Sequence, residues 1–440
     1  MAALARYYMS QGLPVAGYDR TPSDLTHALA AEGATVTYTD SVSEVPAQFR
    51  DKDSTLVVYT PAVPDDNAIY RYYSNGFDMH KRAEVLGLIT RHSKGICFAG
   101  THGKTTTSSM AAHILHSGPV GCNAFLGGVL RNYDSNLLLS PTSPYAVVEA
   151  DEYDRSFHHL RPFIAVITST DPDHLDIYGS EEAYLEGFAH FTELIQPGGY
   201  LIVHEGLKMK HRAPAGVTVY TYGRGAGDFH AADIQCGNGT ITFDMVTPAG
   251  TIPGIELGVP VDINIDNAIA ALAACSLTEG FDPDSAREAM KTFMGPKRRF
   301  EFWYKDDRGR AVIDDYAHHP GELKASISSV RNLYPHSKLT VAFQPHLYSR
   351  TRDFAPEFAN ALSLADEVIL LDIYPAREEP IPGISSKIIF DNIKSPHKMM
   401  IFKEKLVETV KNLNFEVLLT AGAGDINLEL PDIVRTITEC

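Results

Sequence analysis

The segment that most constrains the fold of this chain is residues 100–107, Gly-Thr-His-Gly-Lys-Thr-Thr-Thr. It follows an apolar run at residues 94–98 and precedes a run typical of a helix at residues 107–116. Small residues in such a loop allow consecutive backbone N–H groups to surround a phosphate, and the start of the helix adds positive potential. We therefore expect Lys104 to contact the β- and γ-phosphates of ATP, and Thr105 to bind Mg²⁺.

This loop departs from the general phosphate-loop pattern at one position. That pattern has a glycine five residues before Gly103, and this chain has Phe98 there. A glycine-rich turn with a solvated lysine is therefore the alternative. The order of strand, loop, lysine–threonine pair and helix favours the nucleotide site.

The rest of the chain alternates short β-type runs with amphipathic helical runs. This alternation predicts an α/β protein with parallel sheets and crossover helices. Residues 1–9 are predicted to be helical, and the predicted strands are residues 14–18, 55–59, 94–98, 145–148, 164–167, 311–313, 339–343, 367–371 and 416–420. Residues 215–260 are rich in Gly and Thr and predict short strands and turns.

The length of 440 residues predicts about three domains. We place them at residues 1–92, 93–297 and 298–440. The last boundary lies in residues 295–300, Gly-Pro-Lys-Arg-Arg-Phe, a composition typical of a hinge. We expect ligands at the ends of the strands, because open α/β sheets bind ligands beyond their carboxyl edge.

Charge and cysteine content narrow the class of protein. Lys and Arg number 38 and Asp and Glu 55, so the net charge is 38 − 55 = −17. A chain this acidic is not expected to bind nucleic acid. No apolar run is long enough to cross a bilayer and no signal peptide is recognisable, so we expect no membrane association. The scattered cysteines favour reduced thiols in a cytoplasm over disulfides or a zinc site; they are Cys97, Cys122, Cys236, Cys275 and Cys440.

Two acidic segments follow predicted strands downstream of the phosphate loop. Residues 149–154 are Glu-Ala-Asp-Glu-Tyr-Asp, and residues 168–176 carry His174 among three aspartates. Carboxylates at the end of a strand suit Mg²⁺, although acidic residues are also common at helix starts. His174 is predicted either to be held by the acids or a metal, or to be structural.

The carboxyl-terminal part repeats the design of polar residues after strands. Its three segments are residues 314–320, Asp-Asp-Tyr-Ala-His-His-Pro; residues 344–351, Gln-Pro-His-Leu-Tyr-Ser-Arg-Thr; and residues 421–426, Ala-Gly-Ala-Gly-Asp-Ile. Each alone is compatible with a surface loop. Three such tips on one sheet edge predict a binding face.

Together these segments resemble the Mur ligase family over nearly the whole chain. The specific motifs are GTHGKTTT at 100–107, EADEYDRSF at 149–157, DPDHLDIYG at 171–179, RRFE at 298–301, DDYAHHPGE at 314–322, QPHLYSRT at 344–351 and GAGDI at 422–426. His102 in the phosphate loop resembles the alanine-adding branch or the related tripeptide-recycling ligases. The resemblance implies a Rossmann-like UDP-binding domain, a central P-loop ATPase domain, and a Rossmann-like carboxyl-terminal domain that closes over ATP and brings the amino acid.

The resemblance also implies roles for individual residues. Catalysis is expected from Lys104, His174, His318 and Arg350. ATP is expected at Gly100, Thr101, His102, Gly103, Lys104, Thr105, Thr106, Asn267, Arg299, Asp314 and Asp315. The other substrates are expected at Asp19, Asn123, Tyr316, His319 and His346, and Mg²⁺ at Thr105, Glu149 and His174. Asp19 is also suggested by its place at the end of a second strand, where an acid often binds ribose, and a turn aspartate is the alternative.

Three positions depart from the family pattern. The family's first strand and its glycine-rich loop for the UDP diphosphate are missing, which predicts weaker binding of the UDP substrate. Ile263 replaces a histidine that usually precedes Asn264, and Leu347 replaces an arginine common in relatives. These changes remove one contact expected near adenine and one positive charge near the substrate.

The resemblance implies a reaction that joins L-alanine to the lactyl carboxylate of UDP-N-acetylmuramate through an acyl phosphate, with ATP and Mg²⁺. A ligase that attaches a whole tripeptide to the same sugar is the nearest alternative. A P-loop module that binds nucleotide without ligation is a second alternative. The histidines and carboxylates beyond the phosphate loop disfavour it, because nucleotide binding alone does not need them. The sequence leaves the oligomeric state open.

Overall fold

The computed structural model describes residues 1–60, 63–237, 239–306, 308–376 and 378–438. Cys440, one of the predicted free cysteines, lies outside the described residues. Cys97, Cys122 and Cys275 are buried free thiols and Cys236 is an exposed one. These four therefore form no disulfide, as the sequence predicts.

The helices and strands alternate along the chain, which confirms the α/β class. The amino-terminal part contains α1 (Ala2–Ser10), β1 (Ala16–Tyr18), α2 (Asp24–Ala31), β2 (Thr35–Thr37), β3 (Val57–Tyr59), α3 (Ala68–Ser74), β4 (Met79–Lys81) and α4 (Arg82–His92). Next come β5 (Lys94–Ala99), α5 (Lys104–Ser117), β6 (Asn123–Leu130), β7 (Ser135–Leu138), β8 (Tyr145–Glu149), β9 (Ile164–Ile167), α6 (Leu175–Tyr178), α7 (Glu181–Glu193), β10 (Tyr200–His204), β11 (Thr218–Gly223), β12 (Phe229–Gly237), β13 (Thr240–Thr247), β14 (Gly250–Glu256), α8 (Ile263–Ser276) and α9 (Pro283–Thr292).

The carboxyl-terminal part has the same alternation. It contains β15 (Glu301–Lys305), β16 (Ala311–Asp315), α10 (Pro320–Leu333), β17 (Leu339–Phe343), α11 (Tyr348–Leu362), β18 (Glu367–Leu370), α12 (Lys387–Phe390), β19 (His397–Met400), α13 (Leu406–Asn412), β20 (Val417–Ala421) and α14 (Leu430–Thr438). Within the described ranges, no helix combines the length and the apolar character needed to cross a membrane.

The chain divides into two compact units. Unit 1 comprises residues 1–230, 246–250 and 267–289, and unit 2 comprises residues 231–245, 251–266 and 290–440. The residues of β12–β14, α8 and α9 are divided between them. The two boundaries between the three domains expected from the sequence stay predictions, because this division follows different limits.

Unit 1 is built on a mainly parallel sheet. Its strands follow the order β11-β10-β9-β5-β8-β6-β7, and only the β6–β7 pair is antiparallel. Phe98 of β5 pairs with Glu149 of β8, and Ala99 pairs with Ile167 of β9. The phosphate loop, the first acidic segment and the segment after β9 therefore leave the sheet at one edge.

The core of unit 1 lies against this sheet. Ile96, Cys97 and Phe98 of β5 are fully buried, as expected for a central parallel strand covered on both faces. Helices α1, α4 and α7 contribute to one hydrophobic cluster with β5, β8 and β9. The amino-terminal strands form two small parallel pairs, β1–β2 and β3–β4.

Unit 2 contains a six-stranded sheet in the order β15-β16-β20-β17-β18-β19. Only β15 runs antiparallel to its neighbour. Asp315 of β16 and Phe343 of β17 both pair with Ala421 of β20. The three polar tips expected from the sequence therefore do leave adjacent strands at one edge.

Candidate active site

The phosphate loop connects β5 to α5 and is held by the segment that follows β9. Gly103 has φ of 82°, a conformation that favours glycine. The backbone N–H groups of Thr101 and His102 donate to Ser169 O at 3.2 Å and Ser169 Oγ at 2.8 Å. The first N–H groups of a helix have no acceptor within it, so the start of α5 is the part of the loop suited to a phosphate.

A second layer of contacts fixes this loop. Tyr184 of α7 is fully buried, and its hydroxyl lies 2.9 Å from Thr101 Oγ1. Thr101 Oγ1 donates to Asp171 O at 2.7 Å. A Cβ atom at Gly100 would lie 2.1 Å from Thr168 Oγ1, so this position has room only for glycine.

Thr105 and Glu149 lie side by side. Thr105 Oγ1 donates to Glu149 Oε1 at 2.9 Å, and Gly127 N donates to Glu149 Oε2 at 3.1 Å. Burial raises the pKa of Glu149, while Thr105 and Lys104 lower it by smaller amounts. An anionic oxygen next to a hydroxyl fits Mg²⁺, which commonly takes one or two protein oxygens and otherwise phosphates and water.

Among the described residues, no group of three or more His, Cys, Asp or Glu side chains forms a metal cage. His174, the other predicted metal contact, lies in the segment after β9 with φ of 52°. Its ring packs edge-on against Tyr153 at 5.1 Å, and its Nε2 is 3.7 Å from Asp173 Oδ2. A metal contact from His174 thus stays a prediction.

Lys104 has a buried partner that sequence reasoning missed. Its Nζ donates to Gly100 O at 2.7 Å and to Glu152 Oε1 at 2.8 Å. Glu152 lies three residues after Glu149 in the same acidic segment and is 1% exposed. The only sequence signal was a second glutamate in that segment, and spacing alone did not say which carboxylate faces the lysine.

Asn267 lies against the phosphate loop in unit 1. Thr107 Oγ1 donates to Asn267 Oδ1 at 3.1 Å, and a Cβ atom at Gly103 would lie 2.7 Å from the same oxygen. This close approach is a further reason for glycine at position 103. The structure thus brings Asn267 to the loop, and its expected contact with adenine stays a prediction.

In unit 2, Asp314 and Asp315 end β16 with different surroundings. Asp314 is fully buried, and Thr420 Oγ1 donates to its Oδ1 at 2.7 Å. Burial raises the pKa of Asp314 to about 6, against smaller opposing effects of Thr420 and Arg298. Asp315 accepts from Phe300 N at 3.1 Å and from the hydroxyl of Ser326. Their expected contact with nucleotide ribose stays a prediction, and Asp314 is the less accessible of the two.

Arg298 ties this tip to the one after β20. Its guanidinium donates to Gly422 O at 2.6 Å and Gly424 O at 3.1 Å, and Nε lies 3.5 Å from Asp314 Oδ2. Sequence reasoning placed ATP at Arg299 instead. Arg299 lies 6.0 Å from the centre of the Tyr316 ring, and Arg298 lies closer, at 4.8 Å.

The tips after β16 and β17 bring histidines and an arginine together. The rings of His318 and Tyr316 are 5.2 Å apart, and those of His318 and His346 are 6.2 Å apart. Burial, followed by Arg350 and His318, lowers the pKa of His346. Within the described residues, His346 Nδ1 and Arg350 Nη1 are buried without a hydrogen-bond partner. A buried polar group without a partner is costly, so these atoms are suited to an anionic or carbonyl ligand.

Three predicted substrate contacts have local roles. His319 is exposed and its Nδ1 accepts from Gly321 N at the start of α10. Asp19 is exposed after β1 and accepts from Thr21 N at 3.1 Å. Asn123, at the start of β6, accepts from Ser140 N at 3.1 Å. Their substrate contacts stay predictions.

Family models match three consecutive parts of the chain. They match as "Mur ligase family, catalytic domain" over residues 1–94, "Mur ligase middle domain" over residues 98–275 and "Mur ligase, glutamate ligase domain" over residues 298–428. The chain belongs to the Mur ligase family. It has that family's three-domain α/β fold, and the family consists of ligases that use ATP.

Two relatives and one solved structure are similar to nearly the whole chain. The chain is 55% identical to a UDP-N-acetylmuramate–L-alanine ligase of Phocaeicola vulgatus, over 98% of this chain and 94% of the relative. It is 56% identical to an enzyme of the same name from Parabacteroides distasonis, over 97% of this chain and 92% of the relative. The crystal structure of UDP-N-acetylmuramate-alanine ligase MurC from Thermotoga maritima matches with a TM-score of 0.76 and 27% identity, covering 100% of this chain and 96% of that one.

Proposed function

We propose that this chain is an ATP-dependent ligase that joins L-alanine to the lactyl carboxylate of UDP-N-acetylmuramate. The reaction belongs to peptidoglycan biosynthesis, and thereby to cell-wall formation, cell shape and cell division, and we place the enzyme in the cytoplasm. One observation carries the proposal: relatives of that name are 55% and 56% identical to the chain over nearly its full length.

The phosphate-loop residues supply the phosphoryl-transfer half of the reaction. A carboxylate is a poor acyl donor, so ATP must convert it into an acyl phosphate. Lys104 and the start of α5 balance the charge of the phosphates. Thr105 and Glu149 would hold Mg²⁺, which neutralises charge on the transferring group when it is bound. Buried Tyr184 holds the loop through Thr101.

The unit 2 residues supply the amine-transfer half. Arg350, with a buried unpartnered Nη1 among the described residues, is suited to orient the carboxylate or to balance the tetrahedral oxyanion. His318 faces Tyr316 O through Nδ1 at 2.9 Å. Imidazole is a common general base, so the His318 ring is suited to accept a proton from the alanine ammonium group.

A tripeptide-recycling ligase is the second candidate. The structure of a murein peptide ligase from Psychrobacter arcticus has a TM-score of 0.60 and 20% identity, a likeness that extends only to the fold. The alanine-specific relatives are more than twice as similar in sequence. This difference favours alanine over a tripeptide as the amine substrate.

The decisive experiment measures ADP formation with UDP-N-acetylmuramate and either L-alanine or the tripeptide. We expect ADP release that requires the sugar nucleotide and L-alanine together, with product detected by mass spectrometry. Faster turnover with the tripeptide would support the recycling ligase. ATP hydrolysis that is indifferent to both substrates would support a nucleotide-binding module and would contradict ligation.

A further inference from the structure

The side chain of Lys104 is already neutralised by this chain's own carboxylate. Glu152 Oε2 lies 2.7 Å from Lys104 Nζ, and the two side chains are 2% and 13% exposed. The ammonium also donates to Gly100 O, at 2.7 Å. Lys104 Nζ therefore makes two hydrogen bonds within the protein, to Glu152 Oε1 and Gly100 O, and its ion pair with Glu152 forms without any phosphate oxygen.

Glu152 is fixed where it meets the lysine. Tyr178, whose side chain is buried, donates from its hydroxyl to Glu152 O at 2.6 Å. The next residues include Asp154 and Arg155, both with positive φ, and the Arg155 guanidinium covers the Tyr178 ring at 4.6 Å. This turn sends the chain away after Glu152, so its carboxylate stays directed at the phosphate loop.

The two glutamates of the acidic segment contact different groups of the phosphate loop and its surroundings. Glu149 receives the hydroxyl of Thr105 and the N–H of Gly127, and Glu152 receives the ammonium of Lys104. Glu149 is therefore placed for a metal ion, whereas Glu152 is placed for the lysine. The role of Glu152 is not a duplicate of the metal contact.

Bound phosphates would attract the same ammonium group as Glu152. A phosphate that draws Lys104 Nζ away from Glu152 leaves a buried carboxylate without its cation, and it also adds negative charge nearby; both effects are unfavourable. We propose that Glu152 is a positioning residue that competes with nucleotide phosphates for Lys104, lowers the affinity for ATP and ADP, and speeds release of ADP. The inference rests on the nucleotide site of the proposed function.

The test is calorimetric titration of the whole enzyme with Mg²⁺ and ADP. Glu152→Gln keeps the shape of the side chain and removes its charge. We expect ADP to bind about fivefold or more tightly to this variant, because a larger fraction of the protein has Lys104 available. We also expect a lower KM for ATP together with a lower kcat if release of ADP limits turnover.

Controls separate this effect from others. Asp151→Asn removes a charge from the neighbouring exposed residue, whose Oδ1 accepts from Tyr153 N, and we expect less than a twofold change. Glu152→Asp keeps the charge but shortens the side chain, and we expect an intermediate affinity. This variant also provides a test should Glu152→Gln fail to fold, since a merely structural role predicts weaker binding in both.

The outcomes are distinguishable. Unchanged or weaker ADP binding by Glu152→Gln, with wild type binding ADP and Lys104→Ala losing it, would overturn the competition and leave the nucleotide site standing. An equal gain in Asp151→Asn would also overturn it, because general charge would then explain the change. Lack of ADP binding by wild type would overturn both the competition and the nucleotide site.

Discussion

At the scale of single residues, Lys104 is expected to dominate phosphoryl transfer. We expect Lys104→Ala to reduce ligation by about 100-fold or more, equivalent to roughly 3 kcal/mol of transition-state stabilisation. Turnover is measured as ADP release with both other substrates present. A rate within about threefold of wild type would contradict the phosphate-loop assignment.

This substitution needs a stability control, because it leaves Glu152 buried without its cation. We expect Lys104→Ala to be destabilised and the double variant with Glu152→Gln to regain stability, since the buried charge is then absent. Activity is expected to stay low in the double variant. Recovery of stability without activity would separate the catalytic loss from a folding defect.

Asp314 predicts a pH dependence of stability in unit 2. Burial raises its pKa from 3.8, the ordinary value of an aspartate, to about 6 in the folded protein. Between these values the folded state keeps a proton that the unfolded chain releases, so stability falls as pH rises through this window and the penalty is complete above it. At 1.36 kcal/mol per pKa unit, the penalty is about 3 kcal/mol.

We therefore expect Asp314→Asn to flatten this part of the pH profile. The free energy of unfolding is measured in urea between about pH 4 and 7. Trp303, the single tryptophan, lies on β15 and reports on this unit. Asp353→Asn, at an exposed carboxylate of the same unit, is the control. Parallel pH profiles for wild type and Asp314→Asn would show that this carboxyl does not titrate as expected.

The grouping of Lys104, Thr105 and Glu149 around one loop could be predicted from the sequence, while their roles stay predictions. Lys104, Thr105 and Glu149 were found because a phosphate loop and a strand-end acid follow immediately after apolar runs. Glu152 was missed because the spacing within the acidic segment does not say which carboxylate faces Lys104. The deep burial of Asp314 was also missed, because adjacent residues of a strand face opposite sides and the sequence does not say which acid faces inward.

At the scale of elements, β6 supports the carboxylate of Glu149, which we expect to bind Mg²⁺. Gly127 N donates to Glu149 Oε2, and a Cβ atom at Gly127 would lie 2.2 Å from that oxygen. We expect Gly127→Ala to displace Glu149 and to raise the Mg²⁺ concentration needed for half-maximal activity by about 10- to 100-fold, the usual effect of disturbing a residue that orients a metal ligand. The measurement is ligation as a function of Mg²⁺ at fixed ATP.

Gly225→Ala, at an exposed glycine after β11, is the control for this substitution. An added Cβ there meets no atom within 4 Å, so an ordinary Mg²⁺ dependence is expected. If Gly127→Ala also kept the wild-type Mg²⁺ dependence with a folded protein, Glu149 would not be the oxygen that binds the ion.

The predicted elements agree best with the structure where the strand is buried on both faces. Strands β9 and β17 were predicted at residues 164–167 and 339–343 and are observed there, because both are continuous apolar runs buried on both faces. The predicted strand at 14–18 begins two residues later, at Ala16. Strands β6 and β7 were not predicted, because the pair of glycines within β6 interrupts its apolar pattern.

Helix α5 begins at Lys104, three residues before its predicted start, because backbone geometry set by Gly103 outweighs the weak helix preference of threonine.

At the scale of the whole molecule, the surroundings of the described thiols and hydroxyls near the phosphate loop bear on whether a covalent intermediate forms on the protein. Cys97 lies on the strand that leads to the phosphate loop, but it is fully buried and burial raises the pKa of its thiol. Ser108 is also buried and donates to Thr105 O at 3.2 Å. Neither is paired with a base among the described residues beside the loop, so we expect no covalent intermediate on the protein.

Direct transfer between bound substrates predicts the fate of one oxygen atom. If the lactyl carboxylate attacks the γ-phosphate of ATP, one carboxylate oxygen becomes the bridging oxygen of the acyl phosphate. When the alanine amine attacks the acyl carbon, the C–O bond breaks and that oxygen leaves with inorganic phosphate. UDP-N-acetylmuramate labelled with ¹⁸O in the lactyl carboxylate should therefore give phosphate with one heavy oxygen per turnover, detected by mass spectrometry. A reaction run with unlabelled sugar nucleotide in H₂¹⁸O is the control and should leave the phosphate unlabelled. Ligation with unlabelled phosphate from the labelled substrate would exclude the acyl-phosphate route and the roles assigned to Lys104 and Arg350.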